Sequence, residues 1–235
     1  PEPLPQHLTE ISKLLKQGKA DLGFVVDPDV DRVAIICEDG SMFGEEYTLV
    51  SIADYILAHT PGNTVSNMSS SRALSDITRK HGGEYTASAV GEVNVVAQMQ
   101  KVNAIIGGEG NGGVIYPACH SGRDALVGVA LFLSHMAKMD MTVSAYRQTL
   151  PEYYISKNRI DLTPDTDIDA ILARVKDIYK EERVNDIDGV KIDFAEGWVH
   201  LRKSNTEPII RVYSEAATMD KANALAQQVM AIINE

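Results

Sequence analysis

The sequence predicts an α/β protein, a mixed and mostly parallel α/β domain followed by a smaller α+β domain. Three observations carry this. Between residues 45 and 139, apolar helical stripes alternate with short β-branched runs, the rhythm of a largely parallel sheet covered by helices. After Pro151 the rhythm becomes strand, helix, three strands and a last helix, as expected for an antiparallel sheet with two helices on one face. Hydrophobic residues make up 44% and charged residues 23% of the 235 residues, and no apolar run approaches the roughly 20 residues that span a bilayer.

The elements follow in order. Leu8, Ile11, Leu14 and Leu15 form a helical stripe over residues 5–17, stopped by Gly18. Apolar runs at 24–26 and 33–36 flank the hexapeptide DPDVDR. This reads as strand, acidic turn, strand, because Pro28 inside a helix would remove a donor and clash with the preceding turn. The turn of this two-stranded hairpin is placed at Asp39-Gly40. Next come a helix on Leu49, Ile52, Ala53, Ile56 and Leu57, a strand at 64–68, a helix at 73–81, a strand at 85–89 and a helix at 93–99. A strand at 102–106 then runs into a glycine-rich loop, 107–113, and a helix at 124–138. In the last part, strands are expected at 153–162, 189–194, 198–202 and 209–213. Helices carry Ile168, Ile171, Leu172, Val175 and Ile178, and then Ala222, Leu225, Ala226, Val229 and Ile233. The domains are therefore set at 1–44, 45–150 and 151–235. The first reads as the broken end of a domain, since one helix and a hairpin cannot bury their own apolar faces.

Charge narrows the partners. A net charge of −11 and a pI near 5.0 disfavour nucleic acid and anionic membranes. The two cysteines, Cys37 and Cys119, lie far apart and read as free thiols of a reducing cytoplasm. There is no signal peptide, and the chain starts at Pro1 rather than methionine, so a piece of a longer cytoplasmic protein is expected.

Three stretches carry chemistry. Asp27, Asp29 and Asp31 gather three carboxylates on one turn; they repel unless a cation neutralises them, and hard oxygen ligands select magnesium, calcium or manganese. A plain solvated turn is one alternative. An EF-hand loop is another, with Glu38 at its twelfth position, but Arg32 replaces the glycine needed at the sixth. A phosphatase with Asp27 as nucleophile beside Asp29 is a third. The glycine-rich loop, GGEGNGG, lets backbone approach a ligand closely, and Glu109 would accept from hydroxyl groups. It is neither a Walker loop nor a dinucleotide fingerprint. The third stretch is RKSNTEP, 202–208, with Arg211 beyond. Arg202, Ser204, Asn205 and Thr206 supply the donor set that a phosphate monoester requires, in a local basic field that opposes the global charge.

Taken in this order, D-x-D-x-D-R, a strand followed by a GE-glycine stretch, and R-x-S-x-T-E-P-x-x-R resemble the α-D-phosphohexomutases, the family that includes phosphoglucomutase/phosphomannomutase and phosphoglucosamine mutase. The resemblance implies four domains, of which this chain holds the end of the second, the third, and a TATA-binding-protein-like fourth. It implies magnesium on Asp27, Asp29 and Asp31, with Arg32 at the transferring phosphoryl group. Glu109 and Asn111 would lie at the sugar, and Arg202, Ser204, Asn205, Thr206 and Arg211 at the substrate phosphate. The implied activity interconverts hexose 1-phosphate and hexose 6-phosphate through a phosphoserine and a bisphosphate. That serine belongs to a Ser-His-Asn-Pro loop absent from this sequence, so the chain alone is expected to be inactive and to depend on amino-terminal domains of the same protein. The sugar stretch departs from the Ser-Gly-His of many bacterial members at Asn111, Gly112 and Gly113, which leaves glucose, mannose and glucosamine open.

Overall fold

The computed structural model describes residues 3–163, 166–204 and 207–233. Two compact units divide at Pro151 and Glu152. Both parts of the expected fold class are present.

The first unit grows from a hairpin. β1 (Leu22–Val26) and β2 (Val33–Cys37) pair antiparallel with Val26 opposite Val33, so the hexapeptide 27–32, with its three aspartates, closes it. The expected closure at Asp39-Gly40 is corrected: that turn, with Gly40 at φ +79° and its N–H on the Cys37 carbonyl, folds the chain back so that Met42 bridges Ile36. The expected first helix is a 3-10 turn at Pro5–His7 followed by α1 (Thr9–Lys16), whose Leu15 packs with Leu8 and Ile36.

A four-stranded sheet follows. α2 (Glu45–His59), β3 (Asn63–Asn67), α3 (Ala73–Lys80), β4 (Tyr85–Ser88), α4 (Glu92–Val102), β5 (Ala104–Glu109), β6 (Gly113–Ile115) and α5 (Ala125–Met136) appear in that order. The strands are arranged β4-β3-β5-β6, with β3 parallel to β4 and β5, and β6 antiparallel to β5. Val102, expected to open a strand, is the last residue of α4, which Asn103 ends in a left-handed conformation at φ +50°. β5 then runs through Gly107 and Gly108 to Glu109, so most of the expected loop is strand and only residues 110–112 turn. The physical reason is close packing: a Cβ at Gly107 would lie 2.6 Å from both the Val65 carbonyl oxygen and the Met99 sulfur. Phe132 of α5 meets Phe24 of the hairpin and Phe43 edge-on, at 6.0 and 5.2 Å between ring centroids, which ties the hairpin to the α/β body. A short helix that periodicity did not indicate, α6 (Val143–Arg147), is capped by Thr142 and lays the Arg147 guanidinium 3.2 Å from the Tyr47 ring centroid.

The second unit is a five-stranded antiparallel sheet ordered β7-β11-β10-β9-β8, from β7 (Tyr154–Asp161), β8 (Arg183–Asn185), β9 (Val190–Asp193), β10 (Gly197–Lys203) and β11 (Ile209–Ala216). Alternate residues Val190, Ile192, Val199, Leu201, Ile210 and Val212 form one core with Val175 of α7 (Ile168–Ile178) and Ala226 and Val229 of α8 (Met219–Ile233). Period-two alternation therefore sends the intervening residues to the helix-free face. β8 was not foreseen, being only three residues long. Among the described residues no helix is long and apolar enough to cross a membrane, and both cysteines are free, Cys37 buried and Cys119 exposed.

Candidate functional site

The acidic turn is folded by its own first carboxylate. Asp27 is buried, and its Oδ1 accepts the backbone N–H groups of Asp31 and Arg32 at 3.1 and 3.0 Å. That closure holds Val30 left-handed at φ +57°, a conformation unfavourable for a β-branched residue. One oxygen from each of Asp27, Asp29 and Asp31 lies within 4.8 Å of the others. The two inner carboxylates titrate in opposite directions. Burial alone would raise Asp27, but hydrogen bonds from Arg32 and Asp31, with the Arg32 charge, hold it below the usual range. Burial and the neighbouring Asp27 push Asp31 up despite Arg123.

The donor set suits a hard cation. Asp31 Oδ1 is buried and has no hydrogen-bond partner among the described residues, a loose end in a cluster of anionic oxygens that a divalent ion would satisfy. Arg32 Nε lies 3.5 Å from Asp27 Oδ2 and 3.6 Å from Asp31 Oδ1. Glu38 takes no part in this arrangement: its carboxylate accepts the Ser144 N–H at 3.1 Å and the Ser144 hydroxyl. The EF-hand alternative therefore lacks its last ligand.

Glu109 ends β5 beside this turn, held by several donors. Its Oε1 accepts from Asn67 Nδ2 at 2.8 Å and from the Gly91 N–H at 3.2 Å, and its Oε2 from Arg123 Nη1 at 2.8 Å. Asn111 turns its side-chain oxygen back onto the Gly113 N–H at 3.2 Å, shaping its own turn. The Glu46 carboxylate lies against Gly110, 2.0 Å from where a Cβ would be, and accepts the Ser71 N–H at 2.8 Å. Sequence reasoning missed Arg123, Glu46, Asn67 and Glu92. The helix start at Asp124 was legible, but nothing local indicates that the residue before it meets Asp31 and Glu109.

In the second unit Arg202 pairs across the strands with Arg211, and Arg211 with Arg159. Three arginines therefore share one rung of the helix-free face, although like charges placed opposite one another destabilise a sheet. Arg211 Nη2 donates to Glu207 at 3.2 Å and Nη1 to the Tyr213 hydroxyl at 3.4 Å, while its Nε is buried without a partner among the described residues. Lys157, Arg159, Glu207, Arg211 and Tyr213 line a cavity of about 400 Å³. Ser204 is buried, its hydroxyl accepting the Glu207 N–H at 3.3 Å. Asn205 and Thr206 lie outside the described residues.

Three family profiles cover almost the whole chain: "Phosphoglucomutase/phosphomannomutase, alpha/beta/alpha domain II" at residues 1–40, "alpha/beta/alpha domain III" at 44–154 and "C-terminal domain" at 161–232. The chain belongs to the phosphoglucomutase/phosphomannomutase family. The family boundary near residue 40 falls within one packed unit here, since the hairpin is joined to the following domain through Phe132. The family's phosphoglucomutase/phosphomannomutase from Thermococcus kodakarensis is 33% identical over 100% of this chain and 52% of its own length. A probable phosphoglucosamine mutase from Methanopyrus kandleri is 29% identical over 99% and 52%. This chain thus spans about half the length of the curated relatives it matches. A phosphoglucomutase/phosphomannomutase family protein from Burkholderia thailandensis shares the fold with a TM-score of 0.84, at 24% identity over 98% of this chain and 50% of that one. An Aspergillus fumigatus N-acetylphosphoglucosamine mutase, solved with GlcNAc-6P and magnesium, matches with a TM-score of 0.65 at 14% identity over 94% and 56%.

Proposed function

We propose that this chain supplies the metal-, sugar- and phosphate-binding parts of a phosphohexomutase. The complete protein would interconvert hexose 1-phosphate and hexose 6-phosphate through a phosphoserine and a bisphosphorylated intermediate, with the serine on a part of the protein outside this sequence. The observation that carries the reading is the acidic turn, where three carboxylates converge and one buried oxygen has no hydrogen-bond partner among the described residues. Asp27, Asp29 and Asp31 would hold magnesium, an ion with which the Aspergillus relative was solved. Bound there, the ion supplies charge neutralisation for phosphoryl transfer.

The chain's own residues do the rest. Arg32, braced between Asp27 and Asp31, presents its guanidinium to the transferring group. Glu109 keeps lone-pair capacity beyond its three donors and accepts from sugar hydroxyls. Arg202, Ser204, Asn205, Thr206 and Arg211 grip the substrate's phosphate, and Arg211 Nε, without a hydrogen-bond partner among the described residues, is one donor for that anion. The substrate class is a hexose phosphate of the glucose, mannose or glucosamine type, in keeping with the names of the relatives. The alternative in which Asp27 is a phosphatase nucleophile gives no role to the arginine rung or to the glycine-rich stretch around Glu109.

Titration calorimetry tests the metal site. Asp29 is exposed and has the least structural part in the turn, so Asp29→Asn should lower magnesium affinity while the unfolding temperature stays put. Equal affinity in the two proteins would sink the assignment. Conversion of glucose 1-phosphate to glucose 6-phosphate, with the bisphosphate activator added, should not be catalysed by the 235 residues alone, since binding cannot replace a covalent phosphoryl carrier. Sustained turnover would show that a carrier residue is present in this chain.

A further inference from the structure

We propose that Arg123 is the positioning residue of the metal site: it fixes Asp31 by one carboxylate oxygen, leaving the other to a cation, and does so while anchored on Glu109 and Glu92. The guanidinium faces three carboxylates and donates hydrogen bonds to two of them, Nε meeting the third only at ion-pair distance. Nη2 donates to Asp31 Oδ2, Nη1 lies 2.8 Å from Glu109 Oε2, and Nε is 3.4 Å from Glu92 Oε2. The Asp31 oxygen bonded to Arg123 is Oδ2, and the buried oxygen without a hydrogen-bond partner among the described residues is Oδ1. A cation can therefore take Oδ1 with no need to displace the arginine.

The guanidinium is also built into place. The Arg123 N–H is held by Glu92 Oε1 at 2.8 Å, and the side chain is only 12% exposed. Its stem crosses Gly113 so closely that a Cβ there would come 2.4 Å from Cδ. The next two residues lock the same segment to both sides of the site: Asp124 N–H bonds the Val114 carbonyl at 3.0 Å, and Ala125 N–H bonds the Val30 carbonyl, inside the acidic turn, at 3.1 Å. Arg123 thus joins a turn in the region matching domain II to the end of β5 in the region matching domain III. A planar fork with several donors can serve three carboxylates at once, whereas an ammonium on a flexible stem cannot hold all three in fixed directions.

Two explanations of this arginine make opposite predictions. If it were only a nearby positive charge, its removal would strengthen magnesium binding by relieving repulsion, and a lysine would change nothing. If it positions Asp31, both changes weaken binding, because partners that orient ligands from behind typically contribute tenfold or more to metal affinity. The inference rests on the metal reading above, so the experiment includes a control for it. Magnesium is titrated calorimetrically into the full chain, Asp29→Asn, Arg123→Lys and Arg123→Gln, with unfolding temperatures recorded alongside. The expected result is a loss of about tenfold or more in Arg123→Lys and in Arg123→Gln. Arg123→Lys keeps the charge and most of the stem, so it decides the matter if Arg123→Gln fails to fold. Parent-like affinity in Arg123→Lys, or tighter binding in Arg123→Gln, overturns the proposal if Asp29→Asn has lost magnesium. If Asp29→Asn binds as the parent does, the metal reading itself has failed.

Discussion

The acidic turn of the first unit and the helix-free face of the second carry opposite charge and are held by opposite means. Around the turn, Asp27, Asp31, Glu109 and Arg123 are largely buried and bonded to one another or to backbone N–H groups. On the arginine rung, Arg159 pairs with an exposed Asp161 and Arg211 with a half-exposed Glu207. The difference teaches which charges are structural. Buried groups that hydrogen-bond one another contribute to the fold, and removing one strands its partners, even where single atoms such as Asp31 Oδ1 and Arg123 Nε make no hydrogen bond among the described residues. Solvated side chains crowded with their own kind contribute little to it, since exposed ion pairs are worth about 0–1 kcal/mol. Their alignment on one rung is what the phosphate-binding role proposed above would use.

Asp27→Ala should therefore cost the first unit most. It leaves two backbone N–H groups in the turn without an acceptor, at about 1–3 kcal/mol each, partly offset by relief of repulsion among the carboxylates. Thermal unfolding followed by calorimetry would read a lowered transition for that unit. An unchanged one would mean that the turn is held by the flanking strands alone, and the contrast between the regions would disappear.

The rung should behave in the other way. Arg202→Ala should weaken binding of glucose 6-phosphate by about 1.5–3 kcal/mol, or roughly tenfold to a hundredfold, and Arg202→Lys should recover only part of it because the planar fork is lost. Its effect on stability should fall within about 0.5 kcal/mol, as for most surface substitutions away from special features. Trp198, the sole tryptophan and fully buried in β10, gives a fluorescence readout confined to this unit. Amide shifts induced by glucose 6-phosphate that survive intact in Arg202→Ala would remove Arg202 from the phosphate site.

What the sequence determined by itself was everything governed by neighbours along the chain. Asp27, Asp29 and Asp31 had to share a turn because two apolar runs and Pro28 left them no other local structure. The alternation of Val199 and Leu201, or of Ile210 and Val212, set which face of the second sheet would meet helices, and so where Arg202 and Arg211 would point. The order of the longer elements, though not the short α6 and β8, and the change of rhythm after Pro151 were readable in the same way. The tertiary structure alone decided the rest. Gly107 and Gly108 read as loop because glycine is a turn signal locally, yet they are strand, since the missing side chain of Gly107 admits Val65 and Met99 and that of Gly108 admits the Gly113 carbonyl. Arg159 joined Arg202 and Arg211 through strand pairing between β7 and β11. Arg123 reached Asp31 across 92 residues of chain. Such meetings depend on strand order and on helix-to-strand connections rather than on any period, so no local pattern in the sequence could have announced them.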